Sequence, residues 1–185
     1  ATSIGIYASA SGRGSLAFNG GSARGYNQIA FSTGQYSASK GQGGIYPFRA
    51  STTDATATTM TTQGVLSNGN ATVSVSGTNN NQLLLQDESA VTFNGTVVCR
   101  EDASDGDDYA GWEIKGVIMR GTGASTTVLG AGIVNPLYHT SALANATVTL
   151  SADTTNGCLK IQVTGVASTN LFWNSSLYTS EVVNT

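Results

Sequence analysis

The chain has 185 residues, enough for one ordinary domain or a small domain with an extension. Only 10% of them are charged and the formal net charge is −3, so no basic stripe exists to displace counterions and a nucleic-acid partner is disfavoured. With 23 Gly, 2 Pro and abundant Ser, Thr and Asn, the composition penalises helices and suits strands joined by tight turns, so an all-β protein is expected.

Residues 1–46 carry a repeat. Ala17-Phe18 returns as Ala30-Phe31 and as Ile45-Tyr46, and Ile6-Tyr7 fits the same slot. Between these pairs stand Ser9-Ala10-Ser11-Gly12, Ser22-Ala23-Arg24-Gly25 and Ser37-Ala38-Ser39-Lys40-Gly41. The aromatic positions 7, 18, 31 and 46 are 11, 13 and 15 residues apart. A fixed word at a slightly variable period marks stacked coils of short strands, with length differences absorbed in turns. Gly in each turn is expected to supply positive φ.

Each coil offers about two apolar side chains, far too few to offset the entropy of ordering its backbone. Packed against copies of itself around an axis, each ring gains neighbours, and the small Ala and Ser beside it permit close approach. The repeat is therefore read as an interchain surface, a β-roll or β-prism-like shaft or neck, and a homotrimer is expected.

Residues 47–185 read as a head domain. "NATVSVSG", "ESAVTFNGTVVCRED", "YAGWEIKGVIMRG", "ANATVTLSADT", "GCLKIQVTG" and "NLFWNSSLYTSEVV" are strand-like. Trp112, Ile114, Gly116 and Ile118 share one face, as do Leu159, Ile161 and Val163, and also Leu171, Trp173, Ser175 and Leu177. About nine or ten strands with turns such as "SDGDD" and "TTNG" predict an antiparallel β-sandwich of jelly-roll type. No apolar run approaches the ~20 residues that cross a bilayer, so no membrane insertion is expected, and the opening "ATSIGIYASA" lacks the pattern of a secretory signal.

The Ser-Ala-x-Gly and Ala-Phe words resemble head repeats of trimeric autotransporter adhesins, which also occur in tail fibres and other bacteriophage appendages. Downstream, Trp112-Glu113-Ile114, Ala152-Asp153-Thr154-Thr155-Asn156-Gly157 and Glu181-Val182 resemble a carboxy-terminal module of phage virion proteins. The resemblance covers most of the chain and implies a trimeric spike or fibre.

Five carboxylates crowd into "EDASDGDD": Glu101, Asp102, Asp105, Asp107 and Asp108. Paired carboxylates could hydrolyse a glycoside, but that needs one acid raised in pKa by burial, and an exposed hairpin loop is the better reading. No metal site is expected. "DASDGDD" misses the spacing of a calcium loop, and Asp102, Asp105 and Asp107 are the only calcium candidates. His139, the sole histidine, reads as a turn residue after Pro136, since no G-x-S-x-G elbow accompanies it. Cys99 and Cys158 are the only thiols; unpaired residues are the commoner case at such separation, and whether they pair stays open. Trp112 and Trp173 alternate with aliphatics and read as core. Phe172 should point opposite Trp173, and Tyr109 follows the acidic turn, which makes these two the candidates for stacking on sugar.

The chain is thus expected to be a virion appendage protein attaching to a host-surface glycan or other receptor, with no cofactor and no enzymatic activity. The alternative is a purely structural virion component: a head fibre, decoration or adaptor protein bound to other virion proteins. A cellular trimeric adhesin and a polysaccharide depolymerase using Asp105 or Asp107 stand as further rivals.

Overall fold

A computed structural model of the chain describes residues 1–32, 41–66, 69–75, 80–102 and 106–184. It begins with five short strands: β1 (Thr2–Ile4), β2 (Ser9–Ala10), β3 (Leu16–Phe18), β4 (Ser22–Ala23) and β5 (Ile29–Phe31). β1, β3 and β5 run parallel with Ile4 opposite Phe18 and Phe18 opposite Phe31, while β2 and β4 pair Ser9 with Ser22 and Ala10 with Ala23. Ala17, Ala23 and Ala30 are fully buried between the two ladders, with Ala8 and Ala10 against them. The apolar cluster between the ladders is built of alanine methyl groups, and Phe31 is left exposed on the outer side.

Three details differ from the sequence reading. The first coil presents Ile4, not Tyr7, to Phe18; Tyr7 falls in a left-handed turn at φ 59° and is exposed. The Ile45-Tyr46 pair is not a fourth coil, because its strand enters antiparallel with Ile45 opposite Ile29 and Gly43 opposite Phe31. Gly12 also has a different role from the one expected. Positive φ is not its requirement; its backbone lies so close to the Gly25 carbonyl that a Cβ would collide with it. Ser37–Lys40 of the third word lie outside the described residues.

The remaining strands are β6 (Gly41–Thr52), β7 (Ala57–Thr59), β8 (Val65–Leu66), β9 (Gly69–Asn70), β10 (Leu83–Leu84), β11 (Ser89–Glu101), β12 (Tyr109–Arg120), β13 (Val128–His139), β14 (Thr147–Asp153), β15 (Cys158–Thr164) and β16 (Leu171–Val183). The fold is all-β, interrupted only by 3-10 turns at Ala124–Thr126 and Ser141–Leu143 among the described residues. An eight-stranded sheet has the order β1-β3-β5-β6-β16-β11-β12-β13, and a four-stranded sheet joins β14, β15, β10 and β7. The sandwich is therefore unequal, in contrast to the two four-stranded sheets of a jelly roll. Strand β6 runs through residue 47, where the composition changes, and belongs to the same sheet as the coils. No helix among the described residues is long and apolar enough to cross a membrane.

Alternation explains the core. Leu171, Trp173, Ser175 and Leu177 of β16 are all buried, and Leu159, Ile161 and Val163 of β15 meet them from the smaller sheet side of the core. Trp112 and Trp173 stack with centroids 5.5 Å apart, and the Trp173 indole donates to Thr52 Oγ1 at 2.9 Å. The "ADTTNG" turn is closed by Asp153, whose Oδ1 accepts from the Thr155 and Asn156 amides and whose Oδ2 accepts from Asn156 Nδ2. Partial burial opposes the charge of Asp153, but the bonds from Asn156 and Thr155 and the charge of Lys160 outweigh it and hold the carboxyl below its usual range.

One polar cluster ties the coils to the sandwich. Arg24 Nη2 donates to both oxygens of Glu181, at 3.1 and 3.0 Å, and Gln42 Nε2 donates to Glu181 Oε2 at 2.6 Å. Gln42 in turn accepts from the Ser22 amide at 2.8 Å. Glu181 is only 7% exposed, so removing its cation leaves a buried charge with one neutral donor. Arg24→Met is expected to lower stability by about 2–3 kcal/mol, because the pair is only partly buried on the arginine side. The midpoint of urea unfolding, with an unchanged slope, is the measurement.

Candidate functional site

The outward positions of the large sheet form one continuous face. At one end, Ser51 of β6, Phe172 of β16, Arg100 of β11 and Tyr109 of β12 are consecutive register partners. The next row holds Arg49, Asn174, Val98, Gly111 and, on β13, Tyr138. Both residues singled out from the sequence, Phe172 and Tyr109, thus lie on one row, separated by the single strand that carries Arg100. Strand spacing places their backbones about 9–10 Å apart. They are 51% and 49% exposed, as residues available for stacking must be. Tyr109 stacks on Tyr138 with centroids 5.3 Å apart.

Beside Phe172 the face is hollowed into a groove of about 550 Å³, bordered by Arg49, Gln63, Val65, Arg100, Phe172 and Asn174. Its outer wall is the segment following Met60. That segment is anchored by paired backbone bonds between Arg49 and Thr61, at 2.9 and 3.1 Å. The Gly64 amide then donates to Thr61 Oγ1 at 3.0 Å, and Gly64 itself lies against the aliphatic stem of Arg49. Asn70 is tied to the same strand as Arg49, beyond the groove residues. Its side-chain amide donates to the Ser51 carbonyl and accepts from the Ser51 N–H, both at 2.7 Å, as a neighbouring strand would. The floor is sheet backbone over Cys99 and Trp173.

Chemically, the groove offers an aromatic surface, two guanidinium groups and two primary amides. Such a set suits a hydroxylated ring compound, with apolar ring faces on Phe172 and hydroxyls on the amides. Sequence reasoning missed Arg49, Arg100, Gln63 and Asn174. Asn174 was accessible to it, since it shares the parity of Phe172 two residues away; Arg49 and Arg100 join through cross-strand register, and Gln63 through the loop anchored at Thr61.

The acidic turn assembles no such site. Among the described residues no group of three His, Cys, Asp or Glu side chains is placed to hold a metal. Asp102 is held through its amide to the Asn170 carbonyl at 2.8 Å, Asp107 is exposed, and Asp105 lies outside the described residues. His139 is exposed on the edge strand, its Nδ1 3.2 Å from the Thr140 carbonyl.

No protein-family model matches the chain and no curated protein matches it. Two solved structures are similar to it in β fold. One is the tailspike protein gp49 of the Acinetobacter baumannii bacteriophage Fri1, described as a capsular polysaccharide depolymerase, at 9% identity and TM-score 0.38 over 75% of this chain and 18% of that one. The other is the tailspike protein of Acinetobacter baumannii phage AM24, at 11% identity and TM-score 0.35 over 82% of this chain and 29% of that one. The chain therefore spans less than a third of either tailspike. The expectation of no enzymatic activity is corrected here, because the Fri1 protein is a depolymerase by its description.

Cys99 and Cys158 are both buried and unpaired. Burial pushes the Cys99 thiol up to about 11 and the Cys158 thiol, with a smaller push from the Asp153 charge, up to about 12. Neither forms a thiolate near neutrality. Alkylation at pH 8 is expected to leave both unmodified in the folded protein and to label both after denaturation, read by mass. Stability from these thiols is complete below their ordinary value of 9.0 and is lost as pH rises through 11 and 12.

Proposed function

We propose that this protein is a component of a bacteriophage appendage that attaches the particle to its host by binding a surface saccharide, and that it works as a homotrimer. The observation that carries this reading is the outer face of the large sheet, where Phe172, Tyr109 and Tyr138 stand exposed beside a polar groove. Exposed rings next to amide and guanidinium donors are what sugar recognition uses.

The rest of the same face supports association between copies. Ile4, Phe18, Phe31, Gly43, Ser180, Thr92, Val117 and Ala131 form one row across all eight strands. The Phe31 ring occupies the space above Gly43 that any larger residue would need. Tyr178, Val182, Met119, Ile133 and Val128 lie on this half of the sheet and are about half exposed or more. An apolar face this extensive on a low-charge protein is a surface for other protein. The grooved end is left for ligand. In this reading residues 1–46 are the neck, residues 47–185 the head, and other virion proteins are the remaining partners.

Native mass measurement in dilute buffer is expected to give three copies; a monomer would remove the trimer. An array of bacterial surface glycans is expected to show binding by the wild type. Phe172→Ala and Tyr109→Ala should each weaken it roughly three- to tenfold without changing the mass. Silence on the array together with tight binding to another virion protein would favour a structural component instead. The same glycans, recovered and sized after incubation, report any cleavage.

A further inference from the structure

We infer that the groove beside Phe172 receives a saccharide bearing carboxylate groups, held by Arg49 and Arg100. This rests on the saccharide-attachment reading and narrows its ligand to an acidic glycan. Three other cations are committed. Arg24 is paired with Glu181, Lys115 with Glu113 at 3.3 Å, and Arg120 with Asp87 at 2.6 Å. Arg49 and Arg100 form no ion pair among the described residues; Arg13 and Lys160 also form none, but they do not line this groove. Arg100 has a 3.4 Å bond from Nη2 to the Gly106 carbonyl, and Arg49 has its stem braced by Gly64.

Position makes this more than two solvated side chains. Arg100 neighbours Phe172 directly across β11 and β16, and Arg49 neighbours Asn174 directly across β6 and β16. The guanidinium groups therefore enter from opposite sides of one strand, with the Phe172 ring and the Asn174 amide between them. Two strand spacings and a two-residue offset put their backbones roughly 12 Å apart. That separation leaves room for a sugar ring on Phe172 while each planar fork takes a carboxylate bidentately. Gln63 and Asn174 supply the neutral bonds that hydroxyls require.

Charge density distinguishes among anions. Glu101, Asp102, Asp107 and Asp108 lie at the same end of the sheet, around the turn that follows Arg100. Their field repels a polymer with a charge on every unit, as in a nucleic acid or polyphosphate. The same field opposes any carboxylate, but a glycan with carboxylates spaced along neutral sugars carries less charge past that turn and is repelled less.

The test uses the intact protein on an array holding neutral, uronic-acid-containing and phosphate-containing bacterial oligosaccharides, followed by titration with each hit and with its carboxyl-reduced form. The expected result is binding confined to carboxylate-bearing glycans and weakened at least tenfold by carboxyl reduction. R49Q and R100Q should each cost at least tenfold with unchanged mass and circular dichroism, and R100K should recover part of the loss as the charge returns without the fork. Equal binding of native and carboxyl-reduced glycans, or unaltered binding by R49Q and R100Q, would overturn the inference while leaving glycan attachment intact. Binding confined to phosphate-containing members would overturn it in favour of that anion. Binding to no glycan at all would remove the attachment reading itself.

Discussion

The register of β16 is the constraint on which the rest of the molecule depends. It lies between β6 and β11, pairing along nearly its whole length with both. Leu171, Trp173, Ser175 and Leu177 face the core, whereas Phe172, Asn174, Ser176 and Tyr178 face out. A slip of one residue would exchange the two sets, placing Trp173 in water and Asn174 in the core. Two polar anchors oppose that slip from opposite ends of the strand. The Trp173 indole is fixed to Thr52, and Glu181 is fixed to Arg24 and Gln42. Hydrophobic burial favours the correct face, but these directional bonds select among registers that bury similar area.

The same anchors explain how an alanine-lined coil stack persists beside a conventional core. Ala17, Ala23 and Ala30 contribute little burial compared with Phe48 or Leu177. The stack is held largely by its connections. β5 pairs with β6, the Tyr26 amide donates to the Asn80 carbonyl at 2.6 Å, and Asn27 Nδ2 donates to the Thr62 carbonyl at 2.9 Å. Arg24 adds the ionic contact. The coils are thus extensions of the large sheet within one chain, and the sequence-based expectation that sister copies alone would shield them is too strong. Tyr46 is buried within its own chain, but Tyr7 and Phe31 remain outside.

Much of this was legible from period-two alternation. It gave the buried faces of β12, β15 and β16, the core positions of both tryptophans and the outward turn of Phe172. The coil alignment was partly legible: Phe18 over Phe31 and Ser9-Ala10 over Ser22-Ala23 follow from the repeated words. The pairing of Ile4 with Phe18 did not, because Tyr7 looks like the better aromatic match and only the left-handed turn moves it aside. Ile45-Tyr46 misled for a different reason. A word cannot show chain direction, and β6 enters antiparallel. The groove as a whole was beyond sequence reasoning, since Arg49 and Arg100 come from strands distant in sequence from the one carrying Phe172 and Asn174, and their adjacency is a property of sheet order.

The outermost strand β13 has a further consequence. Its register with β12 shifts so that Gly111 faces Tyr138 while Trp112 faces Pro136, leaving Leu137 as an extra residue. A bulge and a proline without an N–H interrupt the ladder at a margin that is otherwise rich in exposed aliphatics. An incoming strand would find a donor missing and the pleat out of phase. The margin is therefore a poor template for endless ribbon growth.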